Sequence, residues 1–124
     1  MSEHHHILVV DDEDMIRDSL IEYLDENGYR AVGAVDGRDA LTKLADPGRR
    51  PCLILLDLMM PIMDGKTFRA RQLLDPELAR IPVIVLSAYQ GVAKWASDLK
   101  LPDHLSKPFK LDDLLRLVHK HCPV

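Results

Sequence analysis

The 124-residue chain reads as an α/β domain of three layers, a five-stranded parallel sheet doubly wound by five helices. Two observations and one rule of chain geometry predict this. Short aliphatic and β-branched runs alternate with segments of helical spacing from one end of the chain to the other. The first and middle runs, "HILVV" and "CLILL", are nearly continuous in apolar residues, which strands covered on both faces by helices require. Strict alternation implies parallel pairing, because parallel neighbours need a crossover and the crossover is a right-handed helical connection.

Taken in order, "HILVVD" (6–11) supplies the first strand. From Asp14 onward Ile16, Leu20 and Leu24 recur every four residues with Tyr23 beside them, and Asn27 with Gly28 supplies a C-terminal stop. "YRAVGAV" (29–35) is the second strand, and "GRDALTKLAD" places Ala40, Leu41, Leu44 and Ala45 on one helical face before Pro47 and Gly48 end it. "CLILLD" (52–57) is the third strand; a helix over "KTFRARQLL" follows Asp64 and Gly65. "PVIVLSA" (82–88) is the fourth strand, and a helix over "GVAKWASDL" follows Tyr89 and Gln90. The weaker "DHLS" (103–106) is the fifth strand, and "LDDLLRLVHKHC" sets Leu111, Leu114, Leu115, Val118 and Cys122 on one stripe.

A chain of this length, 47% hydrophobic and 29% charged, can bury one core, so a single domain over residues 1–124 with no further output domain is expected. The net charge of -4 gives no basic surplus, which argues against a purely electrostatic binder of DNA or RNA. Cys52 and Cys122 lie far apart, match no metal-ligand spacing, and read as free thiols in a reducing cytosol. Nothing at the N-terminus has a signal-peptide layout, and no apolar run approaches membrane-spanning length. The run His4 to His6 leads straight into "ILVV" and reads as edge residues at the start of a strand.

In open α/β sheets the ligand crevice lies beyond the carboxyl ends of the strands. Four of the five expected strands end in, or run into, a residue with phosphate or metal chemistry: Asp11 and Asp12, Asp57, Ser87 and Lys107. Singly, each has an ordinary explanation. Asp11 and Asp12 suit a helix N-terminus, Asp57 a strand end leading to the turn shaped by Pro61 and Gly65, Ser87 a strand end, and Lys107 a solvated surface.

Jointly they describe one chemistry. Acids ending neighbouring strands one and three converge, and like charges that close push one another toward protonation unless a hard cation relieves them. Mg²⁺ takes one or two carboxylates, a carbonyl and waters. A lysine and a hydroxyl on the next two strands supply a cation and a hydrogen-bond donor for the oxygens of an added phosphoryl group. The set suits phosphoryl transfer to a carboxylate, with the apolar flank of Asp57 fixing that carboxylate in place.

"ILVVDDE", "LILLDLMMPIMDG", "PVIVLSA" and "LSKPF", in this order, resemble the response-regulator receiver domain of two-component signalling, a CheY-like superfamily, from about Ile7 to the end of the fifth helix. The resemblance implies a flavodoxin-like sheet of order 2-1-3-4-5. It implies that Asp57 is the phospho-acceptor, attacking the phosphohistidine of a partner histidine kinase or phosphotransfer protein. Asp12 and Asp57 would bind Mg²⁺ directly, with the backbone carbonyl of Met59, and Asp11 through water. Lys107 would pair with the phosphoryl group, Ser87 would donate its hydroxyl to it, and the bond between Lys107 and Pro108 is commonly cis in the family. The chain is then a cytoplasmic signalling receiver rather than an enzyme, catalysing only its own phosphorylation and slow dephosphorylation. It would be read by a downstream protein, without direct contact to nucleic acid or membrane, and the face of the fourth and fifth helices often pairs into a homodimer in such domains.

In the family's usual account Ser or Thr at the end of strand four turns toward the phosphoryl group and an aromatic residue on strand five swings in behind it. Here His104 stands where Tyr or Phe is usual, and Leu99, Lys100, Leu101 and Pro102 replace a run of small residues. A short or irregular fourth helix and an altered or absent aromatic switch are therefore expected. His104 by itself reads as a surface histidine and Trp95 as a packing residue. Bulky Met59 and Tyr89 beside the acids lead to the expectation of a long-lived phosphorylated state. A stand-alone receiver is the first reading, a fragment of a longer, perhaps DNA-binding, regulator the second, and a docking module that never accepts phosphate the third. No "GxxxxGK" loop, dinucleotide glycine fingerprint or serine nucleophile elbow supports a nucleotide enzyme or hydrolase.

Overall fold

The computed structural model describes residues 6–46, 48, 50–57, 64–87, 103–106 and 109–122. Its strands are β1 (His6–Val10), β2 (Arg30–Ala34), β3 (Leu53–Asp57), β4 (Val83–Ser87) and β5 (Asp103–Ser106). They form one sheet in the order β2-β1-β3-β4-β5, with every neighbouring pair parallel. The fold class and strand order expected from the sequence are those observed.

Alternate residues of each strand enter separate cores, since successive side chains point to opposite faces. Leu8, Val10, Ile54, Leu56, Val83 and Val85 pack on one face with Ala40, Leu44 and Phe68. Ile7, Val9, Leu53, Leu55, Ile84 and Leu86 pack on the other with Leu20, Leu24, Leu114 and Val118. This two-sided burial is why β1 from Ile7 to Val10 and β3 from Leu53 to Leu56 are apolar at every position.

The described helices are α1 (Asp14–Glu26), α2 (Gly37–Leu44), α3 (Gly65–Leu73), α4 (Pro76–Ala79) and α5 (Leu111–His121). Helix α1 ends at Asn27, and Gly28 takes a φ of 88°, a left-handed conformation that glycine adopts without steric cost. Asp36 caps α2, accepting from the Asp39 amide at 2.8 Å, and Asp64 caps α3, accepting from the Thr67 amide at 2.8 Å. On α2, Ala40 and Leu44 are buried as expected, whereas Ala45 is the exposed C-cap residue. On α5 the expected stripe is buried at Leu114, Val118 and Cys122, while Leu111 at the first turn stays 44% exposed.

Helix α4 is an addition to the sequence reading. Asp75 caps it through the Glu77 amide at 2.9 Å, and Pro76 occupies the first turn, where a missing N–H costs nothing. The carboxamide of Gln72, fully buried on α3, holds the segment in place: its Nε2 donates to the carbonyls of Leu78 at 2.8 Å and Ile81 at 3.1 Å. Its Oε1 accepts from Arg69 Nη1 at 2.8 Å, and burial lowers the pKa of that guanidinium from its ordinary value. The helix expected over "GVAKWASDL", with Trp95 and Tyr89, lies outside the described residues, as does His4.

One expectation is corrected. Cys52, just before β3, and Cys122, just after α5, are joined by a disulfide with Cα atoms 5.8 Å apart, so they are not free thiols. Seventy residues separate them in the chain, and only the folding of α5 back along the sheet brings them together.

Candidate functional site

Strand β1 pairs Val10 with Leu56 of β3, so the next residues along, Asp11 and Asp57, emerge side by side at the carboxyl edge of the sheet. One carboxylate oxygen each from Asp11, Asp12 and Asp57 all lie within 4.8 Å of one another. Asp11 is 2% and Asp57 6% exposed, while Asp12 is open to solvent. Three hard oxygen donors on adjacent strand ends, one facing water, fit a divalent cation of the Mg²⁺ type that keeps part of its hydration shell.

Asp11 is tied into the backbone at two points. Its Oδ1 accepts from the Glu13 amide at 2.9 Å, just ahead of α1, and its backbone amide donates to the Ala34 carbonyl at 3.1 Å, extending the pairing of β1 with β2.

Arg17 was not singled out by the sequence, yet it shapes the loop that carries the acids. Its Nη1 donates to the Asp11 carbonyl at 2.9 Å and its Nη2 to Asp14 Oδ1 at 2.6 Å. The side chain reaches there across Gly33 of β2, where an added Cβ would stand 2.9 Å from Arg17 Cδ. Gly33 thus provides the passage, and Arg17 fixes the backbone between β1 and α1. A signal existed only in combination, a glycine within a strand and an arginine in the first turn of the helix before it.

A fourth acid near this edge is already ion-paired. Asp39 Oδ2 accepts from Lys43 Nζ at 2.8 Å and from the Val35 amide at 3.0 Å, and the Lys43 hydrogen bond holds its carboxyl below the usual carboxylate range. Asp39 is therefore held by its own partners and belongs to the β2 end of the sheet, outside the cluster.

Ser87 closes β4, whose neighbour on one side is β3, with Asp57 opposite Leu86. His104 lies on β5 opposite Val85, half-buried and on the face of the sheet that carries α2 and α3. Met59, Lys107 and Pro108, together with the expected cis bond, lie outside the described residues. No helix among the described residues is long and apolar enough to cross a membrane.

Residues 7–119 match the family model of the response regulator receiver domain. Response regulator MprA of Mycolicibacterium vanbaalenii is 41% identical over 111 residues, which are 88% of this chain and 46% of that protein. Response regulator RR06 of Streptococcus pneumoniae is 40% identical over 114 residues, 90% of this chain and 50% of that protein. The chain thus spans about half the length of these relatives. Among solved structures, a response regulator receiver protein from Pseudomonas putida superposes with a TM-score of 0.86 at 33% identity, covering 97% of this chain and 99% of that one. The response regulator protein TrrA from Thermotoga maritima, solved in complex with Mg²⁺ and a beryllium fluoride, gives 0.81 at 32% identity, covering 97% of this chain and 98% of that one. With a parallel sheet of order 2-1-3-4-5, an acid cluster at its carboxyl edge and a family match over nearly its whole length, the chain belongs to the response-regulator receiver domains of two-component signalling.

Proposed function

We propose that Asp57 accepts a phosphoryl group from the phosphohistidine of a histidine kinase or a histidine phosphotransfer protein. The observation that carries this reading is the convergence of Asp11, Asp12 and Asp57 within 4.8 Å at the ends of adjacent strands. A carboxylate oxygen of Asp57 attacks phosphorus, an O–P bond forms, and the N–P bond breaks with its electron pair left on the imidazole nitrogen, which takes up a proton. When bound, Mg²⁺ supplies charge neutralisation between the carboxylates and the incoming phosphoryl oxygens. Asp12 and Asp57 are its direct ligands in this reading, with the Met59 carbonyl, and Asp11 acts through water. Lys107 and Ser87 then hold the oxygens of the product, Lys107 by charge and Ser87 by its hydroxyl.

The rigid part of this scheme is supplied by β3, buried at every residue from Leu53 to Asp57, which leaves the carboxylate little freedom at the moment of attack. Phosphorylation adds close to two negative charges, and the response is read by a protein partner through the β4–β5 side of the sheet, where Ser87 and His104 stand. With His in place of an aromatic residue, that readout is altered rather than copied from the family pattern. The site is cytoplasmic in this reading, and the chain acts as a signalling receiver whose only reactions are its own phosphorylation and dephosphorylation.

Incubation with acetyl phosphate and Mg²⁺ followed by intact mass tests the proposal. A gain of one phosphoryl group that requires Mg²⁺ and is absent from Asp57→Asn is expected. No adduct in the wild type, together with no binding of the stable beryllofluoride mimic, would leave the docking-module reading in its place. A second reading is favoured by the length of the relatives, about twice that of this chain: the receiver as one part of a longer regulator. Immunoblotting of cell extracts with an antibody raised against this chain separates a band near 14.1 kDa from one about twice as heavy.

A further inference from the structure

The disulfide sits at the amino edge of the sheet, on the far side from the acids. Cys52 precedes β3, and its amide donates to the His6 carbonyl at 2.9 Å, so the residue is fixed beside the start of β1. Cys122 caps α5, its amide donating to the Val118 carbonyl at 2.8 Å, and it is 2% exposed within the apolar core. The bond is thus the covalent tie between the central strand and the end of the last helix. In a reducing compartment disulfides are rare, and those that form are commonly transient and redox-sensing.

Both oxidation states have a place in this fold. Cys52 Sγ lies 3.4 Å from the His6 carbonyl oxygen, so the reduced thiol finds an acceptor already in position. Reduced Cys122 behaves as a small hydrophobe among Val118, Leu114 and Leu53. With the bond open, the last turn of α5 is held by that apolar packing and by the hydrogen bond between His119 Nδ1 and the Tyr29 hydroxyl at 3.1 Å. Opening the bond therefore removes the covalent tether at the end of α5 and leaves these contacts as its remaining attachments.

We propose that Cys52 and Cys122 form a reversible redox switch that pins or releases the C-terminal end of α5. Its exchange partners are a low-molecular-weight thiol and the corresponding disulfide, glutathione being the probe. Partly exposed Cys52 reacts first: its thiolate attacks one sulfur of the oxidised probe, forms a mixed disulfide and expels one thiolate. The Cys122 thiolate then attacks Cys52 Sγ, closes the intramolecular bond and expels the second. The probe gains two electrons, the two cysteines lose two, and their two protons pass to the released thiols. Asp57 stands five residues along β3, roughly 16 Å from this chemistry at the rise of a strand, so the switch acts on the helix end and leaves the acid cluster in place.

The test is independent of phosphorylation. The purified chain is equilibrated in glutathione buffers from fully oxidised to fully reduced, quenched with acid, alkylated with N-ethylmaleimide under denaturing conditions and weighed intact. Hydrogen exchange is followed in parallel. The expected result is a reversible change between no label and two labels, complete at a cytosol-like excess of reduced glutathione, with at least tenfold faster amide exchange in the last turn of α5 and unchanged exchange in β1 and β3. Cys52→Ser, which keeps a donor for the His6 carbonyl, is expected to show the fast exchange at every ratio. Three results overturn the proposal: a bond that resists that excess of reduced glutathione, which makes it a permanent staple; mixed disulfides with no intramolecular bond; or identical exchange in α5 in both states.

Discussion

At its carboxyl end β3 delivers Asp57 into a cluster of three acids, while at its amino end Cys52 is bonded to Cys122 beyond α5. Between the two lie four residues, Leu53 to Leu56, that are buried throughout. The carboxyl end gathers like charges that repel one another in the absence of a cation, whereas the amino end carries a covalent bond that restricts the unfolded chain. The difference teaches that one strand can be covalently anchored at one end while it gathers like charges at the other. Stability and reactivity occupy opposite edges of the same sheet.

The largest expected effect tests the anchor. Reducing the disulfide opens a loop of 70 residues and is expected to cost about 4 kcal/mol by loop-closure entropy, measured as a lower urea midpoint. Mg²⁺ affinity should stay within about twofold, because the acids are remote from the bond. A large loss of Mg²⁺ affinity on reduction would show that the two ends of β3 are coupled and break the comparison.

Next comes the acid end. Free Mg²⁺ at tenfold above its dissociation constant is expected to stabilise the wild type by about 1.4 kcal/mol, read as a rise in Tm. Asp12→Asn should remove most of that rise while leaving the cation-free Tm unchanged or higher, since Asp12 is exposed and its charge adds to the repulsion. A wild-type Tm that ignores Mg²⁺ would refute the cation site.

Arg17→Met sharpens the same end. It retains the stem across Gly33 but removes the donors to the Asp11 carbonyl and to Asp14, and a loss of about 1 kcal/mol in stability with weakened Mg²⁺ binding is expected. Equal loss of stability with unchanged Mg²⁺ binding would reduce Arg17 to a packing role. The smallest effect belongs to Asp39, whose carboxyl is held low by Lys43. Because its folded pKa lies below its unfolded value, its contribution is present above the usual carboxylate pKa and is lost as pH falls through the folded value. Asp39→Asn should therefore flatten acid unfolding by no more than about 0.5 kcal/mol, as seen by circular dichroism.

The acids were legible because they follow apolar runs: a carboxylate after "ILVV" or "LILL" has to stand at a strand end, and parallel strand ends converge. Gln72 was not legible, since a glutamine in "RARQLL" looks like a solvated residue until Leu78 and Ile81 present their carbonyls to it. Helix α4 was missed because Asp75 and Pro76 signal a turn as readily as a helix start. The thiol reading of Cys52 and Cys122 failed for a related reason. Spacing rules test ligands that are close in sequence, and these two are close only in space.

The sequence by itself determined the alternation of strands and helices, the two-sided burial of β1 and β3, and the acids at their ends, because each is written in local periodicity. Tertiary structure alone decided the partners: Cys52 with Cys122, Arg17 with the Asp11 carbonyl across Gly33, and Gln72 with Leu78 and Ile81. A local pattern reports which face of an element is buried. Which residue lies opposite depends on how the crossovers close, and that is settled by the packing of the whole chain.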